Sequence, residues 1–166
     1  DCLPDFKTTA VSMLPAGSPE DERMSVHLRQ MLPEDREAVA GLIFHSTNQY
    51  YRSIGRDPIF TGDELSTSII IDVYNQLDPG QAIVAVDDAS DQIIGSCFVH
   101  PRETHISLGI MNSHPDHFGR GVARRLLAHI IELAENENKP VRLVSSCLNL
   151  DSYSLYTMSL IHIGRG

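Results

Sequence analysis

The sequence has few cysteines, no excess of basic residues and no long apolar run. Its three cysteines, Cys2, Cys97 and Cys147, are widely spaced and odd in number, which argues against a disulfide framework and favours a reducing compartment. Cys97 and Cys147 fall in predicted strands, where we expect core residues rather than catalytic thiols. No apolar run approaches the roughly 20 residues of a membrane-spanning helix, and no signal-peptide pattern is present. We therefore expect a cytoplasmic protein.

Acidic residues outnumber basic ones, and the formal net charge is −9. Proteins that bind nucleic acid or anionic membranes without further specificity are normally basic. We therefore expect neither nucleic acid nor a membrane as a partner. With 166 residues, 42% of them hydrophobic, the chain is long enough for one domain with its own core.

The first 24 residues differ from the rest in pattern. They contain prolines, a glycine and the acidic cluster Glu20-Asp21-Glu22, with no hydrophobic periodicity. We expect residues 1–24 to be a flexible lead-in, with a short docking segment as the alternative. Residues 25–166 are then predicted to form a single domain.

Hydrophobic periodicity predicts the helices and strands of this domain. Helical spacing of apolar residues predicts helices over residues 33–48, 63–77 and 121–138. Alternation predicts strands over residues 25–31, 81–86, 92–100, 105–111 and 141–147. Short polar connections indicate an antiparallel meander for the middle strands, and the helical crossover predicts that the last strand is parallel to its neighbour. The fold class is therefore α/β (α+β), with a mixed, mostly antiparallel central sheet flanked by helices.

A short glycine-containing stretch connects the strand over 105–111 to the helix over 121–138. Here Gly119 and Gly121 remove side chains where an anion would approach the backbone. The first N–H groups of a helix lack helical partners, and the helix dipole adds partial positive charge. Positive charge also comes from Arg120, Arg124 and Arg125. The stretch predicts a pyrophosphate cradle, although the same glycines also suit a plain tight turn.

Two other phosphate-binding motifs do not fit this stretch. A Walker loop requires Gly-Lys-Ser/Thr, and a dinucleotide fingerprint requires a third glycine within a first βαβ unit. Neither is present after residue 114. A nucleotide-phosphate enzyme is therefore the disfavoured alternative.

Two segments together resemble the GCN5-related N-acetyltransferase (GNAT) family. Residues 118–123, Phe-Gly-Arg-Gly-Val-Ala, resemble its acetyl-CoA loop, Gln/Arg-x-x-Gly-x-Gly/Ala; they match at Gly121 and Ala123 and depart at Phe118. Residues 149–156 resemble its Asn-x-x-Ala-x-x-Leu-Tyr segment, with Ser152 in place of Ala. The two segments stand in the family's order, with a helix and a strand between them. The resemblance covers about residues 25–159.

The resemblance implies a GNAT-like acyl-CoA acyltransferase domain and direct transfer of an acetyl group from acetyl-CoA to a primary amine. Tyr156 falls on the family's general-acid tyrosine, which protonates the leaving thiolate. Tyr50 and Tyr51 are candidates for lining the acceptor pocket, or else they cap the edge of the core. The residues expected to bind the cofactor are Ile110, Met111, Phe118, Gly119, Arg120, Gly121, Val122, Ala123 and Asn149. Among them, Ile110 and Met111 would supply main-chain bonds to the pantetheine arm, which Asn149 also contacts.

The motifs do not identify the base that deprotonates the acceptor ammonium, a step that the chemistry requires near neutral pH. His114 is the candidate, because imidazole titrates near neutrality. A water chain to solvent is an alternative, as is a His114 that only bonds the backbone; weaker candidates are His105, His117 and Glu103. The spacing of His114, Asp116 and His117 is too crowded for a metal site, so we expect no metal.

The resemblance weakens at the C-terminus. The family continues with a Gly-Phe pair and a β-hairpin, whereas residues 157–166 leave room for one short strand over 160–163. We expect a shortened hairpin whose exposed edge favours a homodimer. A non-catalytic acyl-CoA-binding sensor or partner module stays open, since Phe118 and the missing base fit it. If the chain is an enzyme, its acidic charge balance weakly favours a cationic small-molecule or peptide amine as the acceptor.

Overall fold

The computed structural model describes residues 25–143. Five strands lie in this range, β1 (Val26–Gln30), β2 (Ala82–Asp87), β3 (Gln92–Pro101), β4 (Ile106–Ser113) and β5 (Val141–Leu143). The α-helices in this range are α1 (Arg36–Ser53), α2 (Ser68–Leu77) and α3 (Val122–Asn136). Short 3-10 turns occupy Pro33–Asp35, Glu64–Thr67 and Pro115–His117. The calls made for residues 1–24 and for residues after 143, including Cys147, Asn149 and Tyr156, lie outside the described residues.

The strands form one sheet in the order β1-β2-β3-β4-β5. The first four strands are antiparallel to their neighbours, and β5 pairs with β4 in parallel, Ile106–Leu108 facing Val141–Leu143. The mixed, mostly antiparallel sheet flanked by helices is therefore confirmed. The parallel orientation of β5 is also as predicted, because a helical crossover returns the chain in the same direction.

The helices cover the two faces of the sheet and define two core layers. On one face, Leu126, Leu127 and Ile130 of α3 pack against β3 and β4. On the other face, α1 and α2 pack against residues such as Val84 and Phe98. Cys97 is fully buried in the α3 layer, where burial raises the pKa of its thiol. This agrees with its prediction as a core residue.

Helix α1 is longer than the sequence predicted. The prediction ended it at Asn48, but it continues to Ser53, because no glycine or proline interrupts the chain before Gly55. Asn48 is buried within the helix, and its side chain donates to the Phe60 carbonyl at 2.9 Å and accepts from the Phe60 N–H at 3.0 Å. Tyr50 and Tyr51 therefore lie in the last turns of a helix instead of following it.

Helix α2 begins close to the predicted position. The Asp63 side chain accepts from the Leu65 N–H at 2.9 Å and so caps the 3-10 turn that leads into the helix. The Thr67 hydroxyl donates to the Ala40 carbonyl at 2.7 Å and fastens this turn to α1. Within residues 25–143, no helix has the length and apolar character needed to cross a lipid bilayer.

Close contact between β3 and α3 depends on Gly95. A Cβ atom at this position would lie 2.6 Å from Cγ1 of Val122 and 3.1 Å from Cδ1 of Leu126, both of them buried. Because Val122 is β-branched and enclosed, it has little room to yield. We predict that Gly95→Ala lowers the free energy of unfolding by about 1–3 kcal/mol, measured by urea denaturation.

Gly41→Ala is the matched control, because a Cβ on Gly41 would meet only the end of the Glu64 side chain at 3.6 Å. Gly41 lies inside α1, where alanine is preferred by roughly 0.5–1 kcal/mol. The control should therefore be neutral or stabilising. Equal destabilisation by both changes would contradict the steric explanation.

Candidate functional site

A β-bulge interrupts β4 at the point where its described pairing with β5 ends. Leu108 faces Val99 and Met111 faces Cys97, so two residues of β4, Gly109 and Ile110, share the space opposite Phe98. A bulge of this kind bends its strand and disrupts the neighbouring ladder. Within residues 25–143, β5 pairs with β4 only as far as Leu108. The second half of β4 therefore begins at a bend.

Beyond the bulge, main-chain groups of β4 point alternately to its two sides. The His114 N–H donates to the Ile94 carbonyl of the β3 side at 2.8 Å. Since N–H directions alternate along a strand, the N–H groups of Ile110 and Asn112 also face β3. Those of Met111 and Ser113 point away from β3, toward the β5 side. They are donors placed to bind an extended polar group alongside β4.

The chain leaves β4 through a 3-10 turn over Pro115–His117 and enters α3 by way of two glycines in the left-handed region. Their φ angles are 77° at Gly119 and 81° at Gly121, a conformation that side chains disfavour. A Cβ on Gly119 would meet no atom within 4 Å. No backbone carbonyl of the described residues accepts from the N–H groups of Gly121, Val122 or Ala123. The predicted glycine turn thus has the open surface and unpaired donors that suit an anion.

The cations and aromatic group of this turn are arranged unevenly. Arg120 and Phe118 lie on the turn, and the Phe118 residue is 55% exposed. Arg125 reaches back under the sheet, where its Nη1 donates to the Val26 carbonyl at 3.2 Å. The Arg125 guanidinium therefore contacts β1, whereas Arg120 lies within the turn.

The two histidines of the turn contact each other. His114 uses Nδ1 to accept from the Asp116 N–H at 3.3 Å, and its ring meets that of His117 edge-on at 5.7 Å. His114, the predicted base, therefore caps the 3-10 turn that follows it. Burial, and then the charge of Arg120, lower the pKa of His117, whose Nδ1 is buried without a partner in the described structure. Residues 25–143 contain no cluster of three or more residues suited to hold a metal ion.

Helix α1 approaches β4 on the face opposite α3. The Asn112 side chain donates from Nδ2 to the Ser46 hydroxyl at 2.6 Å, which joins the second half of β4 to α1. Tyr50 lies one helical turn after Ser46 and therefore on the same face of α1. The Tyr50 and Tyr51 rings meet edge-on at 5.6 Å. Tyr50 thus lies on the face of α1 whose Ser46 contacts β4, and its role in lining an acceptor pocket stays a prediction.

One histidine that the sequence did not single out lies against the bulge. His100, at the end of β3, is 8% exposed, and its Nδ1 is hydrogen-bonded to Asp78. Its ring stacks on Tyr74 with centroids 4.9 Å apart. Asp78 also accepts from Arg102 at 2.6 and 2.9 Å. The sequence offered little sign of this cluster, because Asp78 lies 22 residues from His100 and was interpreted only as part of a helix-ending turn.

Comparison with known proteins provides independent evidence. The sequence matches the family model of the acetyltransferase (GNAT) family over residues 35–159. No protein of curated function matches it significantly. Many solved structures match it significantly, and the three described next share 14 to 19% sequence identity with this chain.

Three of these solved structures illustrate the likeness. A GCN5-related N-acetyltransferase from Sphaerobacter thermophilus aligns with a TM-score of 0.63 and 19% identity over 81% of this chain and 42% of its own. The PaiA N-acetyltransferase from Thermoplasma acidophilum, solved with coenzyme A, aligns with a TM-score of 0.64 and 15% identity, over 82% of this chain and 89% of its own. The ribosomal-protein-S18-alanine N-acetyltransferase from Escherichia coli aligns with a TM-score of 0.56 and 14% identity, over 80% of this chain and 74% of its own. The chain thus spans less than half of the Sphaerobacter protein, and the likeness concerns the fold.

The Asp78 cluster has a consequence for acid stability. Hydrogen bonds from Arg102, and then from His100, lower the pKa of Asp78 to about 2, whereas an unfolded aspartate titrates near about 3.9. A carboxylate with a lowered folded pKa stabilises the fold above its unfolded pKa, and this stabilisation is lost as the pH falls through the folded pKa. We predict that Asp78→Asn lowers the free energy of unfolding at pH 7 by about 1–2 kcal/mol. When urea denaturation is repeated near pH 3, the difference in free energy of unfolding between the unmodified chain and Asp78→Asn should be smaller than at pH 7.

Asp57→Asn is the control for this experiment, since Asp57 is exposed in the connection between α1 and α2. Its substitution should leave the free energy of unfolding nearly unchanged at both pH values. A deficit for Asp78→Asn that is the same at pH 7 and at pH 3 would contradict the ionic origin of the stabilisation.

Proposed function

Because the chain belongs to the acetyltransferase (GNAT) family, we propose that it is an N-acetyltransferase that moves an acetyl group from acetyl-CoA to a primary amine. One observation carries the proposal. The N–H groups at the start of α3, which donate to no backbone carbonyl of the described residues, come after the second half of β4, where the N–H groups of Met111 and Ser113 point away from β3. Acetyl-CoA contains a diphosphate joined to an extended, amide-containing arm. Main-chain N–H donors along β4 suit the arm, and those at the start of α3 suit the diphosphate.

Each part of the acetyl-CoA molecule has matching groups in the chain. We assign the pyrophosphate to Gly119, Gly121, Val122 and Ala123, whose backbone is open or unpaired. The pantetheine arm is assigned to the main chain at Met111, whose N–H points away from β3. The N–H of Ile110, also predicted to bind this arm, faces β3 instead and is therefore not assigned to it. The exposed Phe118 ring lies at the edge of this cradle, where it can pack on the cofactor as an apolar group. From the family resemblance, Asn149 contacts the pantetheine arm.

Transfer consists of attack by the free amine on the thioester carbonyl, followed by loss of the CoA thiolate. A main-chain N–H after the bulge stabilises the charge that develops on the carbonyl oxygen. Tyr156 is assigned to protonate the thiolate, on the strength of the matched segment at residues 149–156. His114 was the sequence candidate for the base, but its role as a turn cap gives this assignment little geometric support.

A cationic amine is the acceptor class that we propose. The net charge of −9 favours such a substrate, and the Tyr50 face of α1 supplies an aromatic wall on which a cation can rest. One solved relative is named for acetylation of an alanine of ribosomal protein S18, so a peptide N-terminus belongs in the test panel together with a polyamine and an aminoglycoside.

Cofactor binding tests the cradle directly. We predict that acetyl-CoA binds to the purified chain in a calorimetric titration, whereas ATP and NAD bind far more weakly. Gly121→Val should weaken acetyl-CoA binding by roughly 10- to 100-fold, since it removes charge-assisted backbone bonds worth about 1.5–3 kcal/mol.

Gly55→Val is the matched control, because Gly55, like Gly121, has a left-handed φ, 72°, but it follows α1 and lies far along the chain from the cradle. Both variants incur the same kind of backbone strain. Equal loss of acetyl-CoA affinity in the two variants would show that strain, and not the cradle, is responsible. Preference for ATP over acetyl-CoA would refute the proposal.

A second prediction separates an enzyme from an acyl-CoA sensor. We expect Tyr156→Phe to lower kcat with the best acceptor amine by roughly 10²-fold, because the thiolate loses its proton donor. Acetyl-CoA affinity should stay near that of the unmodified chain. A chain that binds acetyl-CoA tightly but acetylates no amine, with or without this substitution, would support the sensor alternative.

A further inference from the structure

The described structure contains a carboxylate–imidazole pair that the assignments above leave unused. Asp78 follows α2, His100 lies one residue before the end of β3, and the bond between them uses Nδ1 of His100. Among the described residues, none forms a hydrogen bond with Nε2. An imidazole that donates through Nδ1 to a carboxylate carries its free lone pair on Nε2. This is the tautomer that a general base needs.

The free nitrogen lies against the bulge of β4. A Cβ atom on Gly109 would lie 2.8 Å from Nε2 of His100 and 3.1 Å from Cε1 of Tyr74. The glycine therefore permits the ring to reach the main chain of the bulge. Gly109 is two residues before Met111, a separation of about 7 Å along a strand. A short chain of water molecules can bridge that separation, since each hydrogen bond in it spans about 2.8 Å.

We propose that His100 is the general base that takes a proton from the acceptor ammonium and that Asp78 is its positioning residue. The inference rests on the proposed acetyl transfer and names the proton acceptor that the matched motifs do not supply. It replaces His114, whose Nδ1 is engaged with the Asp116 N–H.

The surroundings of His100 fit this role. Three groups approach the ring from the elements packed against it: the Asp78 carboxylate, the Arg102 guanidinium beyond that carboxylate, and the Tyr74 ring stacked on the imidazole. Arg102 bonds only to Asp78 and its own neighbouring carbonyl in the described structure, so it fixes the carboxylate without reaching the ring. The imidazole is thus held in one orientation from two sides.

The protons and bonds balance as follows. Neutral His100 accepts one proton from R–NH3+ at Nε2, directly or through a short chain of water molecules, and leaves a free amine. The C–N bond forms as the amine attacks the thioester carbonyl, and the C–S bond then breaks. The second amine proton goes to the CoA thiolate, by way of Tyr156 in the assignment above. His100 finally releases its proton to solvent, so the net products are the amide, CoA–SH and one H+.

The test is the pH dependence of kcat/KM for acetyl transfer by the unmodified chain, His100→Gln and His100→Phe. The phenylalanine variant keeps the stacking on Tyr74 and so guards against a mere packing defect. We predict that both variants lose roughly 10²-fold in kcat/KM at pH 7, the usual contribution of a general base. The deficit in kcat/KM should shrink toward pH 10, which lies close to the pKa of about 10.4 of a lysine-like amine, because an appreciable fraction of the amine is then already free base. Calorimetric affinity for acetyl-CoA should be unchanged.

Two further variants complete the design. Asp78→Asn should show a smaller deficit with the same dependence on pH, because the imidazole is retained but is no longer held in one tautomer. His27→Gln is the matched control: His27 also bonds an aspartate, Asp88, through Nδ1, but it lies on β1 at the opposite edge of the sheet from β5. We expect its pH profile to be that of the unmodified chain.

Two results would overturn the inference. One is full activity of His100→Gln or His100→Phe at pH 7, and the other is a deficit that is equal at all pH values and accompanied by a lower Tm. If the unmodified chain acetylates no amine, the proposed function fails separately, and 15N NMR of the histidines still decides about His100. A proton on Nε2 at pH 8 would refute the base assignment, whereas a proton on Nδ1 and a bare Nε2 would support it.

Discussion

The bulge at Gly109 and Ile110 determines which face of the sheet each later residue of β4 occupies. Before the bulge, Ile106 and Leu108 point into the α3 layer, and after it Met111 does so. If strict alternation had continued through this strand, Ile110 and Asn112 would point into that layer in place of Met111. Instead, Asn112 meets Ser46 of α1. The same extra residue bends β4 between Leu108 and Met111, so the bend and the approach of α1 to Asn112 have one common origin.

Two ion pairs of the described residues lie close to the ends of strands. Asp78, His100 and Arg102 join the end of α2 to the end of β3, and Arg29 joins β1 to Asp35 before α1 by bonds of 2.6 and 2.9 Å. In both places a buried or half-buried carboxylate is held by a guanidinium with two bonds, a geometry that restricts orientation as well as charge. Such pairs hold the start of α1 against β1 and the end of α2 against β3.

The sequence predicted those features whose causes lie within one element or one turn. The periodicity of α3 and the crossover to β5 depend on neighbouring residues, and Gly119 and Gly121 carry their conformational preference with them. The end of α1 was misplaced because Asn48 resembles a helix terminator, whereas its amide bonds the distant backbone of Phe60. The bulge and the Asp78–His100 pair were not foreseen for a related reason. Each is a property of two segments brought together by folding, and neither segment reveals it alone.

The connection between α1 and α2 is fastened at two separate places. Asn48 holds the backbone of Phe60, and Thr67 holds the Ala40 carbonyl, while most of residues 53–59 is exposed. Because the anchors lie on the helices or close to them, the residues between can be exchanged without loosening either helix. Residues 53–59 are thus the part of this connection that mutation can alter most freely. Under the proposed function, exchange of these residues would change the acceptor while the proposed cofactor cradle stays the same.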